Sequence, residues 1–147
     1  MKNISFIFVI LFLVSCNTKK EEKVETSEVN SIEDFDLYTP SEMSLHMNDM
    51  FEFNEEIKKK IIAGEPLENF PENFLKIHSA KLSEAKDRNE TFEAYSKTFI
   101  ESEKEIFNSA STIPLKDRYN NAINTCVMCH KTECVGPIPR IKKLLIN

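Results

Sequence analysis

The residues best placed to do chemistry lie near the end of the 147-residue chain, in Cys126-Val127-Met128-Cys129-His130. Two cysteines three apart, with a histidine directly after the second, form the C-x-x-C-H pattern through which a c-type haem is attached. On a helix, positions i, i+3 and i+4 share a face. Cys126 and Cys129 would then carry the thioethers formed from the two haem vinyl groups, and His130 would turn its imidazole to the iron. Zinc is the rival, because Cys126, Cys129, His130 and Cys134 offer thiolates and an imidazole. Structural zinc sites usually draw ligand pairs from two separated knuckles, and four ligands in so short a stretch close a tetrahedron with difficulty. A thioredoxin-like redox pair would want a preceding strand and a βαβ setting; neither is present. The motif therefore predicts one covalent haem c.

Such a site needs a helix beneath the motif and a second element facing it. A helix from near Thr112-Ile113-Pro114 through Leu115, Tyr119, Ala122, Ile123 and Cys126 to His130 would carry the motif at its C-terminal end. Gly136, Pro137 and Pro139 break it, and Ile141 to Ile146 follow as a short apolar and basic tail. Upstream, Thr39-Pro40-Ser41-Glu42 reads as a capping box, with Thr39 at N-cap, Pro40 at N1 and Glu42 at N3. Behind it Met43, Met47, Met50, Asn54, Ile57 and Ile61 alternate steps of four and three, the seam of an amphipathic helix. Gly64 stops that helix and Pro66 prevents its resumption. Asn69-Phe70-Pro71-Glu72 would cap a short second helix carrying Phe74, Leu75 and Ile77 to about Ala80. Asp87-Arg88-Asn89-Glu90 would cap a third, with Phe92, Tyr95, Phe99, Ile106 and Phe107 facing inward. No segment alternates like a strand. The pattern predicts an all-α antiparallel four-helix bundle with a short second helix, the haem lying between the first and last helices.

The N-terminal end speaks to location. Lys2, the apolar run from Ile4 to Val14 and Ser15-Cys16 have the form of an export leader, and the run is short of the ~20 residues of a membrane span. Leu13-Val14-Ser15-Cys16 resembles the lipobox of bacterial lipoproteins, in which the leader is cut before a cysteine that is then lipidated; an ordinary signal peptide with an incidental cysteine is the alternative. Residues 1–15 would be the signal peptide, 16–38 the lipidated Cys16 and a disordered tether, and 39–147 the haem domain. Losing Lys2 with the leader leaves 18 basic against 24 acidic residues. That acidity argues against nucleic acid as a partner. The tether, rich in Lys and Glu from Lys19 to Glu28, has almost nothing to bury. Lys19-Lys20-Glu21-Glu22 also resembles a surface-export signal. The expected location is the cell envelope, lipid-anchored to a bacterial membrane, the outer one in preference, with the domain in the periplasm or at the cell surface.

With these residues in view, the chain resembles the four-helix c-type cytochromes, the group of cytochrome c prime and its low-spin relatives, in which C-x-x-C-H ends the last helix. The likeness lies in helix order, the methionine-bearing first helix and Tyr119-x-x-Ala122-Ile123-x-Thr125-Cys126 before the haem. From Ser41 to Leu145, including Gly64-Glu65-Pro66, Ile77-His78-Ser79-Ala80 and Gly136-Pro137-Ile138-Pro139-Arg140-Ile141, it also looks like a group of exported monohaem lipoproteins. The resemblance implies that a methionine early in the first helix ligates the iron. Met47 matches that position best, Met50 is next, and the alternative is that Met43, Met47 and Met50 are all flexible core filler. His46 falls off the seam and is expected at the surface. His78 is expected as a hydrogen-bonded structural residue. Arg140, with Lys142 and Lys143, would pair with haem propionates or form a solvated basic tail. Cys134 could form an intermolecular disulfide, giving a homodimer, or lie buried.

Three functions follow from what fills the sixth iron position. A His/Met-ligated haem makes an electron carrier serving redox partner proteins of the cell envelope. An open or apolar distal side makes a gas-binding or sensing protein. A peroxidase-like enzyme would need a distal acid-base group, for which only His78 is a candidate. The electron carrier, without enzymatic activity, is the expectation.

Overall fold

The computed structural model describes residues 39–147, so the expected leader at 1–15 and the lipidated cysteine and tether at 16–38 lie outside the described residues. Helix α1 runs Glu42–Ala63. Its N-cap is Ser41, in extended backbone, whose Oγ accepts the N–H of Ser44 at 3.1 Å. The cap therefore sits two residues later than the expected Thr39. Glu42, expected at N3, is the first helical residue and accepts the Lys81 backbone N–H at 3.1 Å, tying the start of α1 to a distant loop. At the other end Gly64 takes a left-handed φ of 70°, and its N–H and that of Glu65 turn back onto the last carbonyls of the helix.

The expected second helix is instead a 3₁₀ segment, Glu72–His78, with no side-chain cap at Pro71. The tighter turn brings residues three apart onto one side, and Phe74 and Ile77 are its buried pair. Phe74 stacks on Phe99 at 6.1 Å between ring centroids and meets Phe53 edge-on at 5.4 Å. In so short a segment packing of this ring outweighs propagation of an α-helical ladder, which starts from a costly nucleus.

Helix α2 spans Glu90–Ile106; within the expected capping stretch Asp87-Arg88-Asn89-Glu90 the N-cap is Asn89, which accepts the Phe92 N–H at 2.8 Å. Its buried face holds Phe92, Ser96, Phe99, Ile100, Ser102, Glu103 and Ile106, while Tyr95 and Phe107 are only half-buried. Helix α3, Leu115–Glu133, continues three residues past His130. Arg118 joins it to the end of α2, donating from one nitrogen to the carbonyls of Glu105, Ile106 and Asn108, where a helix C-terminus favours a cation. Helix α4, Ile138–Ile141, and a 3₁₀ turn, Lys142–Leu144, close the chain. The tail is docked: Lys58 Nζ donates to the carbonyls of Lys143 and Leu145, and the Asn120 amide exchanges two hydrogen bonds with Ile146.

The described residues are all-helical, with no strand. Among them no helix is long and apolar enough to cross a membrane. Helices α2 and α3 lie along each other, whereas α1 meets α3 sparsely. Two buried clusters result, one around Met43, Met50, Phe74 and Phe99, the other around Ile57, Ile106, Tyr119 and Ile123. Cys126 is packed against both.

Candidate functional site

A cleft of about 150 Å³ opens where α1 and α3 part. Met47, Met50 and Asn54 line it from α1, Phe99 from α2, Cys126 and His130 from α3, and Arg140, Ile141 and Leu144 from the docked tail. A second hollow of about 30 Å³ shares Met47, Met50, Phe99, Cys126 and His130 with the first and adds Cys129, Ile77, Tyr95 and Ser96. The sequence motif, both candidate methionines and Arg140 thus border one pair of adjoining spaces. The walls are mostly apolar, and the described residues bring no group of three His, Cys, Asp or Glu side chains together. A tetrahedral zinc site built from protein side chains would need such a group.

Helix α3 positions the motif. Its last turn places Cys126, Cys129 and His130 half-buried on one side, with Val127 buried in the core and Met128 facing solvent. The chain then leaves the helix at Cys134, in extended backbone, and the Cys134 carbonyl returns to His130 Nδ1 at 2.9 Å. A carbonyl only accepts, so Nδ1 carries a proton, and in the neutral tautomer this selects, Nε2 is the nitrogen with the free lone pair. Metal-ligating histidines are held in this way, their second nitrogen donating to a carbonyl or carboxylate. Cys134 itself is exposed, and the described cysteines form no disulfide.

Both motif thiols sit in surroundings hostile to charge. Burial, together with the nearby Glu103 carboxyl, pushes the Cys126 thiol well above its usual range. Burial pushes the Cys129 thiol up to about 11, with Glu133 adding to it. Nucleophilic and redox-active cysteines have depressed values. An uncharged thioether loses nothing in such surroundings, whereas a thiolate does.

From α1, Met43 is buried in the core and lines neither space, Met50 is buried at their edge, and Met47 is half-buried beside them. His46 corrects the sequence reading: it is 5% exposed, and its Nε2 lies 3.4 Å from the carbonyl of Phe74. The 3₁₀ segment covers a position that the α1 seam alone assigns to solvent. His46 lines neither space, and the exposed His78 stands outside them as well, 3.3 Å from the Ser96 hydroxyl. Arg140 crosses from the tail to α1, donating to Asn48 Oδ1 at 2.7 Å with its guanidinium 3.8 Å from the centre of the Phe51 ring.

Sequence reasoning passed over the polar group behind the cleft. Glu103 is fully buried and accepts a hydrogen bond of 3.0 Å from the Asn54 amide, and the Tyr119 hydroxyl donates to the Asn54 carbonyl at 2.9 Å. Glu103 belongs to the stripe Phe92, Ser96, Phe99, Glu103 and Ile106, whose alternating steps of four and three were a legible sign of burial. Comparison with known proteins brings nothing to this chain: no family model, no curated protein and no solved structure matches it.

Proposed function

We propose that the protein is a c-type monohaem cytochrome, a membrane-anchored electron carrier with His130 and Met47 as axial ligands. The observation that carries this reading is His130: within C-x-x-C-H, on a cleft faced by methionines, its Nδ1 is committed to the Cys134 carbonyl and Nε2 is left as a ligand. Cys126 and Cys129 would hold the haem c by thioethers, and Arg140 would meet a propionate. A guanidinium has five N–H donors, of which Asn48 engages one nitrogen. The cleft is smaller than the ~300–1,000 Å³ common for small-molecule pockets. Met47 and Met50 would therefore have to swing aside, and their unbranched side chains with three rotatable bonds permit it.

When bound, the haem supplies a one-electron couple whose potential is raised by a methionine ligand. Met47 would close the distal side to weak ligands, and the surrounding apolar side chains would exclude water. The finer architecture belongs to the same proposal: α1, the 3₁₀ segment, α2 and α3 stand in for the four helices of a cytochrome bundle. Cys16 would anchor the chain to the membrane of the cell envelope, and envelope redox proteins would be its partners; Cys16→Ser should abolish labelling by radioactive palmitate, and labelling that persists would place the anchor elsewhere.

The test of the function is the optical spectrum of the haem-loaded protein. The expected result is a low-spin spectrum indifferent to carbon monoxide, which Met47→Ala turns high-spin and open to that gas. A parent that is already high-spin and binds carbon monoxide would make the protein a gas-binding haem protein instead.

A further inference from the structure

The least comfortable group in the core is the Glu103–Asn54 pair. Glu103 accepts from the Asn54 amide through Oε1, while Glu103 Oε2 and Asn54 Oδ1 are both buried without a hydrogen-bond partner. An ionised carboxylate and an amide oxygen are both acceptors, so neither can serve the other. A proton on Oε2 makes it a donor, and the orphaned amide oxygen of the same partner is an acceptor. A proton on Oε2 also removes a buried negative charge, which at an orphaned carboxylate oxygen carries a desolvation penalty.

The group also sits where a charge change at the cleft would be felt. Asn54 is also one of the residues lining the cleft. From α3, Tyr119 and Cys126 face Glu103, whose negative charge opposes the ionisation of both; from α1, Asn54 faces it. Among the described residues no lysine or arginine pairs with it. In such a poorly solvated region unit charges interact far more strongly than in water.

We propose, on the reading of the cleft as a haem site, that Glu103 is a proton-exchange group linked to the oxidation state of the iron, protonated in the reduced protein and ionised in the oxidised one. On reduction one electron arrives from the donor protein and one proton from solvent forms the O–H bond of Glu103. Oxidation returns both. The ferric state has one more positive charge than the ferrous state, and that charge stabilises the carboxylate. Burial pushes the Glu103 carboxyl up to about 8 before any iron charge is counted, the Asn54 bond opposing only in part. The ferric charge lowers it further, so the exchange falls in the window below about pH 8.

The experiment is a redox titration of the full-length, haem-loaded protein from pH 5 to pH 8, paired with infrared difference spectra between the two redox states. The parent potential should fall as pH rises, with a slope approaching 59 mV per unit for one proton per electron. The parent should also lose a protonated-carboxyl band on oxidation. Glu103→Gln, of nearly the same shape, should flatten the slope and remove the band. A slope unchanged in Glu103→Gln would assign the proton to a propionate or His78 and overturn the proposal. So would a parent difference spectrum without a carboxyl band, which needs no variant to fold. A chain that takes up no haem overturns the proposed function itself, a result distinct from a loaded protein whose potential ignores Glu103.

Discussion

The two halves of the core are built from different materials. Around Ile57, Ile106, Tyr119, Ala122 and Ile123 the packing uses β-branched and aromatic side chains, and the docked tail covers it with Ile141 and Leu144. Tyr119, Ala122 and Ile123 are completely buried. Around Met43, Met50, Phe74 and Phe99 the packing relies on thioethers and flat rings; Met50 and Phe99 border the cleft from this half, Ile141 and Leu144 from the other. β-Branched side chains are stiff, whereas methionine fills irregular gaps and repacks readily. Cys126 stands at the seam between the two halves. The stiff half holds α3 in place so that Cys126, Cys129 and His130 keep one orientation, and the soft half can make room for a ligand.

That contrast is open to direct attack. The largest effect should come from Ile123→Ala in the stiff half, a loss of about 3 kcal/mol, within the range for aliphatic-to-alanine changes in cores. Denaturant unfolding measures it, and the spectrum of any haem-loaded fraction should be that of the parent. A loss under ~1 kcal/mol would mean that this half is loosely packed after all. A smaller effect is expected from Met50→Leu in the soft half, a nearly volume-conserving change costing less than about 1.5 kcal/mol. Its spectrum should stay low-spin, because Met47 is the assigned ligand. A switch to high-spin in Met50→Leu would move the ligand one turn along α1.

What could be read from the sequence was local. The capping stretch ahead of α2, the stop of α1 at Gly64 and the placement of the C-x-x-C-H motif in the last turns of a helix each depend on residues a few positions apart. What could not be read depends on distant partners. His46 is buried because the carbonyl of Phe74, 28 residues on, comes to meet it. Glu42 serves Lys81 rather than its own helix start for the same reason. The 3₁₀ segment was mistaken for a short α-helix because Phe74 and Ile77, three apart, fit either geometry. Glu103 was passed over since charge usually signals exposure, although its place in the α2 stripe said otherwise. In the candidate site, the residue types and their common face were legible. The bond from His130 to the Cys134 carbonyl was not, because it needs the chain to leave the helix in extended backbone.

Covalent haem is the claim on which the rest stands, and it is tested most directly by denaturing electrophoresis after expression with a haem-attachment system. The account predicts a haem-stained band for the parent, none for the Cys126→Ala, Cys129→Ala double variant, and iron in the purified parent. Staining that survives in the double variant, or a parent that contains zinc and no iron, would contradict it.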